Sequence, residues 1–382
     1  MNLLAMRNLI CFISVIFTFI ACSGNKASKL TLLDKSAFDE VVEGKQISLY
    51  TLESGNGLTV QVTNFGLRVV SLWVPDKNGK YADVSVGYEN IDRYVHNNGE
   101  RFLGSIIGRY GNRIANGKFV LDSVEYNLPI NNNGNTLHGG LKSLDMVVWN
   151  VDSVNNNSIY FSHTSPDGDE GFPGNLSMNV AYVLTPDNEF KITYKATTDK
   201  PTVINLSNHT FFNLKGEGNG TITDHVLSIN ASHTTPVNEV LIPTGEIAPV
   251  DGTPLDFRKP TIIGERIDND DPQLKNGKGY DHNWVIDHKT QNGVELAATL
   301  YEPVSGRFME VYTDQPGIQF YSGNFFDSKA NGKYGKPIAY REALALETQK
   351  FPDSPNQPNF PSTRLNPGEV YTQTCIYKFS VK

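Results

Sequence analysis

Apolar and polar residues alternate with a period of two through most of the chain after residue 45. Met178, Val180, Tyr182 and Leu184 alternate with Ser177, Asn179 and Ala181, and Phe190, Ile192, Tyr194 and Ala196 with Lys191, Thr193 and Lys195. Such a pattern buries one face of a β-strand. Tyr371, Gln373, Cys375, Tyr377 and Phe379 mark another strand near the C-terminus. Turn residues punctuate the gaps, as in Asp76-Lys77-Asn78-Gly79, Asn155-Asn156-Asn157 and Asp167-Gly168-Asp169. Two short strands flanking Asp122-Ser123 read as a hairpin. A short helix is predicted near residues 36–42, and no long stretch sustains a helical period. Many strands, with no repeat, composition break or low-complexity linker after residue 45, predict an all-β protein. The expected form is one large antiparallel β-sandwich over residues 46–382.

The first residues break this pattern. Arg7 precedes an apolar run from Leu9 to Ala21, about the length of a signal-peptide core and short for a membrane span. The run ends at Ala21-Cys22-Ser23-Gly24-Asn25-Lys26. An apolar run, a small residue, a cysteine and a polar segment resemble a bacterial lipoprotein signal, although Phe19 stands where such signals usually carry leucine. Residues 1–22 are then a signal segment cleaved before Cys22, which becomes the lipidated first residue, and residues 23–45 a tether. A plain secretory signal with an incidental cysteine is the alternative. The lipoprotein reading places the protein in the cell envelope, on the periplasmic side, with its lipid as the only membrane contact.

The chain has 382 residues and a net charge of -8, which argues against nucleic acid as a partner. Of three cysteines, Cys11 leaves with the leader and Cys22 is the anchor. Only Cys375 remains, as a buried small hydrophobe in a strand, so no intrachain disulfide is expected.

Candidate chemistry lies in the segments between strands. Gly108-Arg109-Tyr110-Gly111-Asn112-Arg113-Ile114 places two arginines among glycines, without the ending of a phosphate loop. An arginine here either forks onto oxygens of a polar ligand or ties loops together by their carbonyls. His138 in Asn135-Thr136-Leu137-His138-Gly139-Gly140 is either a ligand group or a hydrogen-bonded turn residue. His209 sits in Asn205-Leu206-Ser207-Asn208-His209-Thr210-Phe211-Phe212-Asn213-Leu214, among amides, hydroxyls and rings of the kinds that bind sugars. Its imidazole exchanges a proton near neutral pH. In Tyr280-Asp281-His282-Asn283-Trp284, strand geometry turns Asp281 and Asn283 one way and His282 and Trp284 the other. Gln315 opens the turn Gln315-Pro316-Gly317. Glu347 ends the apolar run Ala343-Leu344-Ala345-Leu346, where partial desolvation makes a carboxylate a better base. A structural ion pair is its plainer reading. With no close-spaced histidine pair and no cysteines to help, a metal ranks below proton transfer. A serine hydrolase is unsupported, since the chain has no Gly-x-Ser-x-Gly elbow.

Together these segments resemble the aldose 1-epimerase (galactose mutarotase) family. The matching pieces run in order over most of the mature chain: Asn112-Arg113-Ile114, Asn135-x-Leu137-His138-Gly139-Gly140, Asn205-Leu206-x-Asn208-His209-x-x-Phe212-Asn213-Leu214, Asp281-His282-Asn283, Gln315-Pro316-Gly317, and Leu346-Glu347-Thr348-Gln349 with Phe351-Pro352-Asp353. The resemblance implies a β-sandwich with an open cleft, a free aldohexose as substrate, no cofactor, and a monomer or weak dimer. It implies Glu347 as general base and His209 as general acid. It implies His138, Arg113, Asp281 and Gln315, with Asn112, as the residues that hold the sugar. Glu347 would start ionised and His209 protonated.

Three rivals remain open. One is a sugar-binding protein on the same fold without turnover. The second is a glycosidase pairing Glu347 with Asp281. The third is an epimerase of sugar phosphates, which needs basic residues at the cleft rim beyond Arg113.

Overall fold

The alternating runs form long antiparallel strands. The computed structural model describes residues 30–96, 99–290 and 293–382. The leader and Cys22 lie outside the described residues. Leu176–Leu184, Glu189–Thr198 and Tyr371–Val381 adjoin one another in a nine-stranded sheet, and each buries every second side chain. Cys375 is buried and unpaired among them. In this sheet Asn150–Val154 and Ser158–Ser165 lie outside Leu176–Leu184. Beyond Tyr371–Val381 come Arg307–Thr313, Glu295–Tyr301, Val226–Ile229 and Thr261–Ile262.

A six-stranded sheet faces it, in the order Phe211–Phe212, Leu344–Gln349, Gly317–Tyr321, Asp281–Val285, His233–Thr235 and Ala248–Pro249. A four-stranded sheet runs from Leu49–Glu53 through Thr59–Thr63 and Val69–Pro75 to Tyr81–Asp83. One hydrophobic cluster joins all three sheets. Leu52 and Val60 meet in it with Ile192 and Tyr377, and with Trp284, Phe320 and Leu346. The Tyr377 hydroxyl donates to the Leu346 carbonyl at 3.0 Å, tying the nine-stranded sheet to the strand that carries Glu347. The expected all-β sandwich is therefore present, with its largest hydrophobic cluster shared by all three sheets.

Local chemistry explains the turns. Asp122 and Ser123 have φ of 51° and 63°, the left-handed pair that a two-residue hairpin of this twist requires. They join Lys118–Leu121 to Val124–Asn127. The longest helix among the described residues is Pro272–Gly277, opened by Asp271, whose carboxylate accepts from the Gln273 N–H at 2.8 Å.

Two expectations near the N-terminus change. The helix foreseen over 36–42 is a single turn, Lys35–Phe38, and Glu40–Val42 is a strand paired with Lys45–Ile47. β-branched Val41 and Val42 favour the extended form. The tether foreseen to residue 45 is instead folded from Leu33 onward. The Leu33 N–H donates to Gln61 at 2.8 Å, and Phe38 is fully buried beside Ile47 and Leu49.

Leu346 is wholly buried between the sheets, immediately before Glu347. Leu346→Ala is expected to lower the unfolding free energy by about 2–5 kcal/mol in urea titrations, the usual cost of emptying a packed leucine site. A loss below about 1 kcal/mol, the range of surface changes, would contradict this packing.

Candidate active site

Three neighbouring strands of the six-stranded sheet turn alternate residues into the core and alternate residues outward. Inward go Leu344 and Leu346, Ile318 and Phe320, and Trp284. Outward go Glu347, Gln319 and Tyr321, and Asp281, with Gln319 opposite Glu347 and Asp281 opposite Tyr321. The opposed facing of Asp281 and Trp284 is the one their spacing predicts.

Above this face lies a cavity of about 380 Å3 lined by Asn112, Arg113, His138, His209, Asp281 and Glu347, among others. A volume of this order suits a small polar ligand. Six of the seven catalytic and binding residues predicted from sequence thus meet in one place.

The histidine side of the cavity is built from two short ladders. Arg113–Ile114 pairs with Thr136–Leu137, which sets Asn112 beside His138. The His138 N–H donates to the Asn112 carbonyl at 2.9 Å, and the Asn112 N–H donates to His138 Nδ1 at 3.1 Å. With Nδ1 accepting, the proton of the neutral ring is on Nε2. Gly139 has φ of 93°, and a Cβ there would fall 2.0 Å from the Gly108 carbonyl oxygen, so only glycine fits. His209 follows Ser207–Asn208, which pairs with Ile106–Ile107, and its N–H donates to the Ser105 carbonyl at 2.8 Å. The His209 ring is enclosed by Phe211 at 4.7 Å and by the edge of His138 at 5.0 Å, with Phe102 at 6.2 Å.

Glu347 Oε1 stands 3.4 Å from His209 Nε2. Both side chains are almost wholly buried, and two of their atoms, Glu347 Oε2 and His209 Nδ1, have no protein partner. Burial pushes the Glu347 carboxyl well above its ordinary value, with Asp281 adding to the rise and Arg113 opposing it. Burial pushes His209 down to about 4, partly offset by a backbone hydrogen bond. His138 also lies well below its ordinary value, first from burial and then from His209, Arg113 and Arg101. The empty cavity thus favours an uncharged carboxylic acid beside an uncharged imidazole. This differs from the ion pair expected from sequence, because alternation alone does not show how completely the site excludes water.

Asp281 is held at both oxygens. Oδ1 accepts from Gln319 Nε2 at 2.7 Å, and Oδ2 faces Arg113 Nη2 at 3.7 Å. Gln349 continues this polar row, donating to Asn283 Oδ1 at 3.3 Å beside Gln319. Gln315 is the exception among the predicted residues, since it does not line the cavity. Its amide donates to Asp314 at 2.8 Å, in a separate surface cleft with His288 and Lys350. It precedes Gln319 by four residues, about 13 Å at a strand's rise. Gln319 is the glutamine that reaches Asp281. Counting by twos back from Tyr321 would have put it on the outward face.

The two arginines of one segment divide the two readings between them. Arg109 is the structural tie. It donates to Ser165 Oγ and to the carbonyls of Ser165, Pro166, Pro173 and Gly174, all within 3.0 Å. Arg113 lines the cavity with only long contacts, to Asp281 and to Asn132 Oδ1 at 3.4 Å. The amides around His209 are likewise structural. Asn205 donates to Gly111 at 3.0 Å and accepts from the Lys350 N–H at 2.8 Å, and Asn213 donates to Glu342 at 2.7 Å. The Asp353 N–H donates to the Arg113 carbonyl at 2.8 Å, so Phe351-Pro352-Asp353 serves to place Arg113.

His138, His209 and Glu347 are the one group among the described residues with donors close enough to suggest a metal, within 4.8 Å of one another. Donors on one zinc ion at about 2.1 Å would stand about 3.4 Å apart. Two of the three, His209 and Glu347, approach each other at 3.4 Å.

Comparison with known proteins agrees with this geometry. The sequence profile of the aldose 1-epimerase family matches residues 48–378. The galactose mutarotase of Rattus norvegicus is 41% identical over 348 residues, covering 91% of this chain and 98% of its own. The aldose 1-epimerase of Escherichia coli is 38% identical over 339 residues, covering 88% and 96%. Among solved structures, an aldose epimerase homologue from C. elegans aligns with a TM-score of 0.79 at 30% identity, covering 88% of this chain and 99% of its own.

Arg109→Ala is expected to cost about 3 kcal/mol or more of stability, since it leaves several buried carbonyls unpaired. Arg113→Ala is expected to cost clearly less. Parallel urea titrations check the difference, and equal losses would contradict the division of roles.

Proposed function

The chain belongs to the aldose 1-epimerase family, and on that premise we propose that it interconverts the α- and β-anomers of free hexoses such as glucose and galactose. It is an isomerase acting by acid–base ring opening and closure. The observation that carries this is the buried approach of Glu347 to His209 at 3.4 Å, within a cavity bordered by groups that bind hydroxyls.

Mutarotation needs one proton removed and one supplied. A base takes the proton of the anomeric hydroxyl while an acid protonates the ring oxygen. The C1–ring-oxygen bond breaks and the aldehyde forms. Rotation about C1–C2 and closure on the other face give the second anomer, with the two groups exchanging tasks. Glu347 is the base and His209 the acid in opening. The pair shares a single proton, which rests on the carboxyl in the empty cavity, and its titration belongs to the two groups jointly. Sugar hydroxyls donating to Glu347, together with Arg113, offset the desolvation and favour the ionised carboxylate beside the protonated imidazole. Arg113, His138, Asn112 and Asp281 hold the sugar, with Gln319 steadying Asp281.

Arg7, the run Leu9 to Ala21 and Cys22 support a further proposal, that the mature chain is lipid-anchored at Cys22 in the cell envelope on the periplasmic side. The enzyme is proposed to act as a monomer or weak dimer. Cys22→Ser is expected to move the protein from membranes to the soluble fraction on cell fractionation. An unchanged distribution would contradict the anchor.

Glu347→Gln is expected to lower kcat for α-glucose by about 10²–10⁴, the range for one proton-transfer group, while binding by calorimetry changes little. A variant that binds and still turns over normally would contradict the assignment. A wild type that binds without turnover would make the protein a sugar-binding one.

The pH dependence follows from the single shared proton. Below about pH 4 His209 gains a second proton for the pair, and Glu347 can no longer act as base. Above the raised value of Glu347 the last proton is lost. The profile of kcat/KM should be bell-shaped, with an acid limb near pH 4 and an alkaline limb above the ordinary carboxylate range. Polarimetry corrected for spontaneous mutarotation tests it, and a flat profile would refute the mechanism.

A further inference from the structure

The cavity wall holds a third carboxylate that the proton transfer does not use. Glu100 lines the same space as Glu347, His209 and Arg113. A clamped backbone delivers it there. The Glu100 N–H donates to the Tyr88 hydroxyl at 2.6 Å. The next residue, Arg101, forks onto Asp145 at 2.8 and 2.9 Å and donates to the Gly140 carbonyl at 3.3 Å. Phe102 then forms the wall against His138, with ring centroids 4.7 Å apart. With the backbone fixed on both sides, the half-buried Glu100 side chain is left to face the cavity.

Its surroundings set it apart from the other acids there. Tyr321 and Asp327 interact electrostatically with it, as does Tyr88, whose hydroxyl holds its backbone. Glu347 instead responds to Asp281 and Arg113. Glu100 therefore belongs to the end of the cavity near Tyr321, where Phe325 and Phe326 complete the wall and Lys278 stands over the Phe325 ring at 5.4 Å. Among the described residues no ion pair joins Glu100 to a cation. Asp281 is matched by Arg113, and Glu347 with His209 is neutral as a pair. Its exposed neighbour Asp327 pairs with Lys329, so Glu100 is left as the acid of this region without an ion pair among the described residues. Burial and Asp327 raise the Glu100 carboxyl to about 7.

We propose that Glu100 is a specificity-determining residue: it accepts a hydrogen bond from a sugar hydroxyl remote from the anomeric carbon and repels sugars carrying phosphate or carboxylate at that position. The inference rests on the aldose 1-epimerase reading. A carboxylate accepting from a hydroxyl makes a strong, charge-assisted bond. The same group opposes an anion in a poorly hydrated space, which is selection by repulsion as well as attraction.

The test is polarimetric measurement of kcat and KM for α-glucose and glucose 6-phosphate at about pH 8, where Glu100 is mostly ionised. It compares the wild type with Glu100→Gln, Glu100→Asp and Asp327→Asn. The wild type should prefer glucose strongly. Glu100→Gln should raise the glucose KM about 3–10-fold with kcat retained, and should narrow the preference over the phosphate about tenfold or more. Glu100→Asp keeps the charge, so it should retain the preference while weakening KM. Asp327 is exposed, so its variant should fold and narrow the preference in the same direction by a smaller factor. An active wild type whose preference and KM survive both Glu100→Gln and Asp327→Asn overturns this proposal alone. A wild type inert towards glucose overturns the mutarotase reading and this proposal together.

Discussion

Glu347 and His209 are held 3.4 Å apart where water scarcely reaches, and the rest of the site is arranged around that desolvation. In water the two groups would titrate independently near their ordinary values. Enclosed by Phe102, Phe211 and His138 above, and backed by the core beneath Leu346, neither carries a charge cheaply. Burial therefore rests their shared proton on the carboxyl, and the proposed ring opening depends on sugar hydroxyls and Arg113 shifting it towards the imidazole. The core supplies more than stability here. Leu344, Leu346, Phe320 and Trp284 fill the inner face of the sheet and hold the outer face in one register.

Burial also makes every unpaired polar group costly, and the chain meets this largely with fixed partners. Asp281 is engaged by Gln319 and Arg113, and Gln349 and Asn283 continue the row along the sheet. Among the described residues that line the cavity, the buried side-chain atoms left without partners are Glu347 Oε2 and His209 Nδ1, both on the pair proposed to react. Unsatisfied groups in a buried site are unusual.

Much of this is legible in the chain itself, for identifiable reasons. Period-two alternation exposes strand faces, so the opposed facing of Asp281 and Trp284 follows from their spacing alone. His209 stands out in the sequence partly for a wrong reason: the amides around it clamp carbonyls across strands. The Arg109–Arg113 segment leaves two readings open, and each arginine satisfies one of them. The turn motif of Gln315 points to the site, whereas strand register brings Gln319 there. A motif marks a segment, and only the pairing of strands decides which of its side chains arrive.

The sequence by itself determined the all-β architecture, the faces of the long strands, the candidate segments that carry Glu347 and His209, and the family resemblance. These depend on local alternation and on residue chemistry, which a linear chain displays directly. Tertiary structure alone decided which polar groups meet, how Glu100 joins the cavity and why the N-terminal segment folds from Leu33. It also decided that burial leaves the Glu347–His209 pair uncharged when the cavity is empty. Those outcomes depend on distances between residues far apart in sequence and on the exclusion of water, and both exist only once the sheets have packed.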